Sequence, residues 1–144
     1  MKRKLYNALI EWKNDPDRKP LVLEGARQVG KTWLLKEFGK NEFDNLVYVN
    51  CHDDERMQNL FQQDLHVDRI MQALQAFSGQ PIITGKTLIF IDEIQEAYRG
   101  LDSLKYFCEN ARDQHIVVAG SLLGVTHRPG ESYPVGKVNF LYLY

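Results

Sequence analysis

Cysteine is scarce in this sequence. Cys51 and Cys108 are the two among 144 residues, with no C-x-x-C pair and no basis for a disulfide framework. Free thiols in a reducing cytoplasm are the expectation. An excess of one charge is also missing: 18 Lys and Arg stand against 19 Asp and Glu, a formal net charge of −1. That balance removes the bulk electrostatic case for nucleic acid or an anionic membrane as partner. The basic start, MKRK, is short and soon offset by Glu11, Asp15 and Asp17. The N-terminus lacks the apolar stretch of about 7–15 residues that marks a signal peptide. No run approaches the ~20 apolar residues of a membrane-spanning helix. Repeats, low-complexity tracts and an internal linker are absent too, which leaves one domain over residues 1–144.

What is present is a globular composition, 44% hydrophobic and 26% charged, enough for a sizeable core. Leu5, Leu9 and Trp12 predict a helix over 4–13. NDPDRKP is a turn-rich connector, and LVLE at 21–24 reads as a buried strand. KTWLLKEF places Leu34, Leu35 and Phe38 on one helical face, with Gly39 able to end the helix. LVYVN at 46–50 is a second strand, and residues 55–77 suggest one long helix or two short ones. TLIFID at 87–92 is a third strand, Leu101, Leu104 and Phe107 mark a helix, HIVVA at 115–119 is a fourth strand and VNFLYLY at 138–144 a fifth. Strands that are continuous apolar runs, alternating with helices, predict an α/β fold with a parallel sheet covered on both faces. Because the sequence stops inside a strand-like run, a domain truncated at its C-terminus is expected, with exposed apolar surface favouring self-association. An edge strand completed by a partner is the alternative.

Gly-Lys occurs four times, and spacing separates the four. Gly25-Ala26-Arg27-Gln28-Val29-Gly30-Lys31-Thr32 fits the phosphate-loop pattern G-x-x-x-x-G-K-[ST] in full, between a buried strand and an amphipathic helix that opens with Trp33 in its first turn. Backbone N–H groups of such a loop wrap a phosphate, and the helix N-terminus adds positive potential. Lys31 can reach the β and γ oxygens, and Thr32 can turn its hydroxyl to Mg²⁺. Residues 25–33 are therefore the expected nucleotide-binding set. Gly85-Lys86-Thr87 has Gln80 where the first glycine belongs and precedes a strand; Gly39-Lys40 and Gly136-Lys137 read as a cap and a turn.

LIFIDEIQEA supplies a second element. A carboxylate at the carboxyl end of a buried parallel strand faces the ligand crevice. Asp92 is the expected metal-binding partner of Thr32, and Glu93 the residue that polarises water for attack on the γ-phosphate. The alternative is that either carboxylate merely caps the following helix. HIVVA, which follows the acidic strand in sequence, is expected to lie in space between that strand and the loop strand. Ser121, at its end, is then a sensor of the γ-phosphate and a third catalytic candidate beside Glu93 and Lys31.

GARQVGKTWLL, TLIFIDEIQEA, HIVVAGSLLGV and YPVGKVNFLYLY, in that order and spacing, resemble the AAA-type P-loop ATPases of bacteria and archaea. More closely they resemble the group in which this ATPase core precedes a nuclease-like C-terminal domain of unknown function. The resemblance implies a three-layer sandwich with a five-strand parallel sheet in the order 5-1-4-3-2, and ATP and Mg²⁺ as cofactors. Relatives often carry Gly-Arg before the last strand where this chain has Gly136-Lys137; lysine lacks the bidentate fork of arginine, which weakens a finger role for Lys137.

Other residues invite a functional reading. Cys51-His52-Asp53-Asp54 looks like a metal cluster, but consecutive side chains at a strand end alternate in direction, so a polar loop is expected. His115 and His127 are lone histidines. Arg99, Arg112 and Arg128 are finger candidates across a subunit contact, and Gln95 is placed to touch the attacking water. Tyr6 and Trp12 can stack on adenine, although packing within the first helix is the simpler expectation. Together these features predict an Mg²⁺-dependent ATPase acting as a switch on a downstream domain or partner. A nucleotide-gated interaction module with negligible hydrolysis is the alternative. A small-molecule kinase is disfavoured by Glu93 and by the lack of an arginine-rich lid.

Overall fold

The computed structural model describes residues 2–25, 30–120 and 136–143. Five strands form one all-parallel sheet: β1 (Leu21–Gly25), β2 (Asn45–Asn50), β3 (Thr87–Asp92), β4 (His115–Gly120) and β5 (Asn139–Leu143). Their order across the sheet is β2-β3-β4-β1-β5, the expected order read from the opposite edge. The helices are α1 (Lys2–Asn14), α2 (Lys31–Glu42), α3 (Glu55–Gln63), α4 (Val67–Ser78) and α5 (Ser103–Asn110).

Of the interior strands, β3 and β4 are buried along their whole length and β1 over Leu21–Leu23, so side chains there must be apolar or paired. Period-two alternation then sorts them between two cores. Leu21, Leu23, Leu88, Phe90, Val117 and Ala119 pack with α1 and α2, through Leu5, Leu9, Trp12, Leu34, Leu35 and Phe38. Val22, Ile89, Ile91, Ile116 and Val118 pack with α3, α4 and α5, through Met57, Phe61, Ile70, Leu74, Leu104 and Phe107. The result is the three-layer sandwich expected of a P-loop fold. Each fully buried Leu, Ile, Val or Phe contributes about 1.5–3 kcal/mol.

Two local expectations resolve differently or more sharply in the structure. Gly39 does not end α2, which continues to Glu42. A Cβ at Gly39 would stand 2.8 Å from Leu46 Cδ1 and 3.3 Å from Leu88 Cδ2, so the glycine lets the helix sit close to the sheet. Residues 55–77 form two helices rather than one. The break is held by Arg69, whose guanidinium donates to the Asp64 carboxylate at 2.7 Å and to the Leu60 carbonyl at the end of α3 at 2.7 Å. Asp54 caps the start of α3 by accepting from the Arg56 and Met57 backbones. No helix among the described residues is long and apolar enough to cross a membrane.

Candidate functional site

The site lies where the carboxyl ends of β1 and β3 meet the N-terminus of α2. β1 ends at Gly25, and Gly30 precedes the helix with φ 78° and ψ 20°. Among the described residues nothing lies within 4 Å of where its Cβ would be; the left-handed backbone itself favours glycine here. Ala26, Arg27, Gln28, Val29 and Ser121 lie outside the described residues, as do His127 and Arg128.

Lys31 opens α2 and is 2% exposed. Its Nζ donates to the Gly25 carbonyl at 2.9 Å, tying the two ends of the loop together. A cation at that depth is tolerated when it is partnered, and it exerts more field than one in water. Thr32 follows, and its hydroxyl donates to Asp92 Oδ2 at 2.7 Å.

Asp92, at the end of β3, is likewise 2% exposed. Among the described residues three donors hold its carboxylate. Oδ1 accepts the Glu93 N–H at 3.0 Å, and Oδ2 accepts both Thr32 and the Tyr48 hydroxyl, the latter at 3.0 Å. Burial, and then the negative charge of Asp92, push the Tyr48 phenol up to about 12. Asn50 Nδ2 donates to the same hydroxyl at 3.3 Å, and Lys36 Nζ stands 4.1 Å over the Tyr48 ring.

Glu93 takes a left-handed backbone, φ 53° and ψ 47°, at the start of a short 3₁₀ turn over Ile94–Glu96. It is the N-cap residue of that turn, without a side-chain capping hydrogen bond. A non-glycine residue in this region costs on the order of 1–3 kcal/mol and is found where the surroundings require it. Gln95 Nε2 donates to Glu93 Oε2 at 2.8 Å, and Gln95 Oε1 is buried with no hydrogen-bond partner among the described residues.

The structure thus brings Gly25, Gly30, Lys31, Thr32, Asp92 and Glu93 together and adds Gln95 beside Glu93. Trp33, one residue further along α2, is 57% exposed. Tyr6 and Trp12 are packing residues: Tyr6 donates to Glu42 and meets Phe38 edge-on, and Trp12 donates to the Lys19 carbonyl. Cys51 is buried in the core, and burial pushes its thiol up. His52 faces Asp53 and Glu96, and Asp54 is committed to its cap. Among the described residues no three such groups converge as a metal cluster. Arg112 donates to the Arg18 carbonyl, just before β4 and so at the opposite end of the strands from Asp92. Lys137 pairs with Glu109 at 3.3 Å. Arg99 has a left-handed φ of 64° in the turn that precedes α5.

Tyr48 and Asn50 were not legible as site residues. Alternation puts both on the face of β2 that bears Leu46, but their approach to Asp92 depends on the parallel register that pairs Asn50 with Asp92 and Tyr48 with Phe90.

Residues 17–144 match the AAA domain family. No curated protein matches the chain. Among solved structures, the RuvB Holliday junction branch migration motor of Thermotoga maritima superposes with a TM-score of 0.56 at 20% identity, and its T158V variant with 0.56 at 21%. The ORC1 protein of Aeropyrum pernix, in complex with DNA, superposes with 0.57 at 16%. Each likeness covers 99% of this chain and 43% of the other. The chain therefore shares their fold and spans less than half their length.

Proposed function

The chain belongs to the AAA domain family of P-loop ATPases, and from that premise we propose that it binds ATP with Mg²⁺ and hydrolyses it, as a switch acting on a partner or a further domain. The observation that carries this reading is the contact of Thr32 with Asp92 beside the buried ammonium of Lys31. The residues present suit both ligands. A buried cation at the start of a helix, behind a left-handed glycine, complements a polyphosphate. Thr32 and Asp92 offer the hydroxyl and carboxylate oxygens that a hard divalent cation takes. Bound Mg²⁺ supplies neutralisation of charge on the β and γ oxygens.

The protein's own groups do the rest. Lys31 exchanges the Gly25 carbonyl for phosphate oxygens. Glu93 orients a water and takes its proton, and Ser121 serves as the γ-phosphate sensor. A cytoplasmic setting and self-association belong to the same proposal; Cys51 and Cys108 are free thiols and buried, and sedimentation with and without nucleotide reads the second. The near-zero net charge gives no reason to transfer DNA binding from the structural neighbours.

One observation favours the alternative, a nucleotide-gated interaction module with negligible hydrolysis: the Glu93 carboxylate is engaged by Gln95. Single-turnover ATP hydrolysis by the wild type and by Glu93→Gln, with and without DNA, separates the two. The switch requires measurable wild-type turnover that falls about 10²-fold or more in the variant, the scale of a lost general base. Turnover at the uncatalysed background in both proteins leaves the module.

A further inference from the structure

We propose that Tyr48 is the positioning residue that holds Asp92 in its cation-binding orientation, an inference that rests on the nucleotide-site reading above. The polarity of the hydrogen bonds carries it. The His52 backbone N–H donates to Asn50 Oδ1 at 2.8 Å, which fixes the Asn50 amide and leaves Nδ2 to donate to the Tyr48 oxygen at 3.3 Å. The one phenolic proton is thereby free to go to Asp92 Oδ2, at 3.0 Å. A main-chain donor thus determines, through two side chains, the direction of the bond that reaches the carboxylate.

The ring that bears this hydroxyl is itself held. It lies 5.1 Å from the Phe90 ring and under the Lys36 ammonium at 4.1 Å, so β3 and α2 both fix it. Thr32 differs from Tyr48 in one respect: its hydroxyl keeps two lone pairs and can offer one to a cation while its proton stays on Asp92 Oδ2. Tyr48 sends its proton to the same oxygen and accepts from Asn50, so its part is to hold the carboxylate. Hydrogen-bond partners behind a ligating carboxylate are worth about 10–100-fold in metal affinity.

The test is ATP affinity, by calorimetry, across a Mg²⁺ titration, with melting temperature in EDTA as the fold control. Tyr48→Phe should raise the Mg²⁺ concentration for half-maximal tightening about 10-fold and leave Mg²⁺-free ATP affinity unchanged. Asn50→Leu should shift it in the same direction by less, and should add nothing in the Tyr48→Phe background, because its effect passes through the hydroxyl. A wild-type protein whose ATP affinity responds to Mg²⁺, with the same midpoint in Tyr48→Phe, overturns the role of Tyr48 and leaves the nucleotide site standing. Additive effects of the two substitutions overturn the relay. A wild type that binds no ATP overturns both proposals together.

Discussion

Thr32 and Asp92 are 60 positions apart in sequence, and their side chains meet at 2.7 Å. Asp92→Asn keeps the shape and removes the charge. The Mg²⁺-dependent gain in ATP affinity should be largely lost. Affinity for ATP without Mg²⁺ should be no worse than wild type, because a buried carboxylate repels a polyphosphate when no cation intervenes. Calorimetry in EDTA and in excess Mg²⁺ reads both; an unchanged Mg²⁺ response would remove Asp92 from the cation site.

Lys31 and Lys86 make a matched pair, each following a glycine with a left-handed φ, 78° at Gly30 and 82° at Gly85. Lys31 is buried at the start of α2, whereas Lys86 is exposed in a turn that feeds β3. Lys31→Ala should lower ATP affinity by about 10–100-fold, the range of a lost charge-assisted hydrogen bond, and Lys86→Ala should not. Equal losses in a binding titration would show that the site is assigned to the wrong loop.

At Gly39, valine should destabilise the fold by about 1–3 kcal/mol in urea unfolding. Its branched side chain must displace Leu46 and Leu88, and the better helix propensity recovers under 1 kcal/mol. A variant as stable as wild type would mean that α2 can lift from the sheet at no cost.

His115 supplies the pH dependence. It is buried against Trp12 and Phe43, and burial, then the charge of Arg18, lower its pKa from 6.5 to about 4 against the opposing effect of a hydrogen bond with the Lys13 backbone. The folded state carries the neutral ring, so its contribution is full above pH 6.5 and declines as pH falls towards 4. Wild-type stability should drop between pH 6.5 and 5, by up to about 2 kcal/mol from this group. In His115→Phe, which preserves the aromatic edges, the slope over that window should flatten. Chemical denaturation at four pH values tests it, and an identical slope in the variant would exclude His115 as its source.

The sequence was most informative where burial acts on whole strands. TLIFID marks β3 from end to end because both faces are covered, and the loop glycines and Lys31 follow from what a phosphate cradle demands. Legibility ended where a feature depends on what lies across space. Gly39 reads as a stop from its neighbours in sequence, and only Leu46 and Leu88 reveal that it is a contact. The gap between α3 and α4 depends on Arg69 reaching back to Leu60. Tyr48 reaches Asp92 through the register of β2 on β3, which no local pattern encodes.

β1 pairs with β4 on one side and with β5 on the other, and among the described strands those are the last two in chain order. The strand that launches the phosphate loop therefore waits, unpaired, until some 90 further residues have left the ribosome. β2 and β3 can pair first, so Asp92 is held in a partial sheet before Lys31 and Thr32 have a fixed place beside it. Long-range parallel pairing of this kind is slow to form and leaves strand edges open meanwhile. The insertion of β4 between β1 and β3 thus ties completion of the site to a strand that begins some 90 residues after β1 ends.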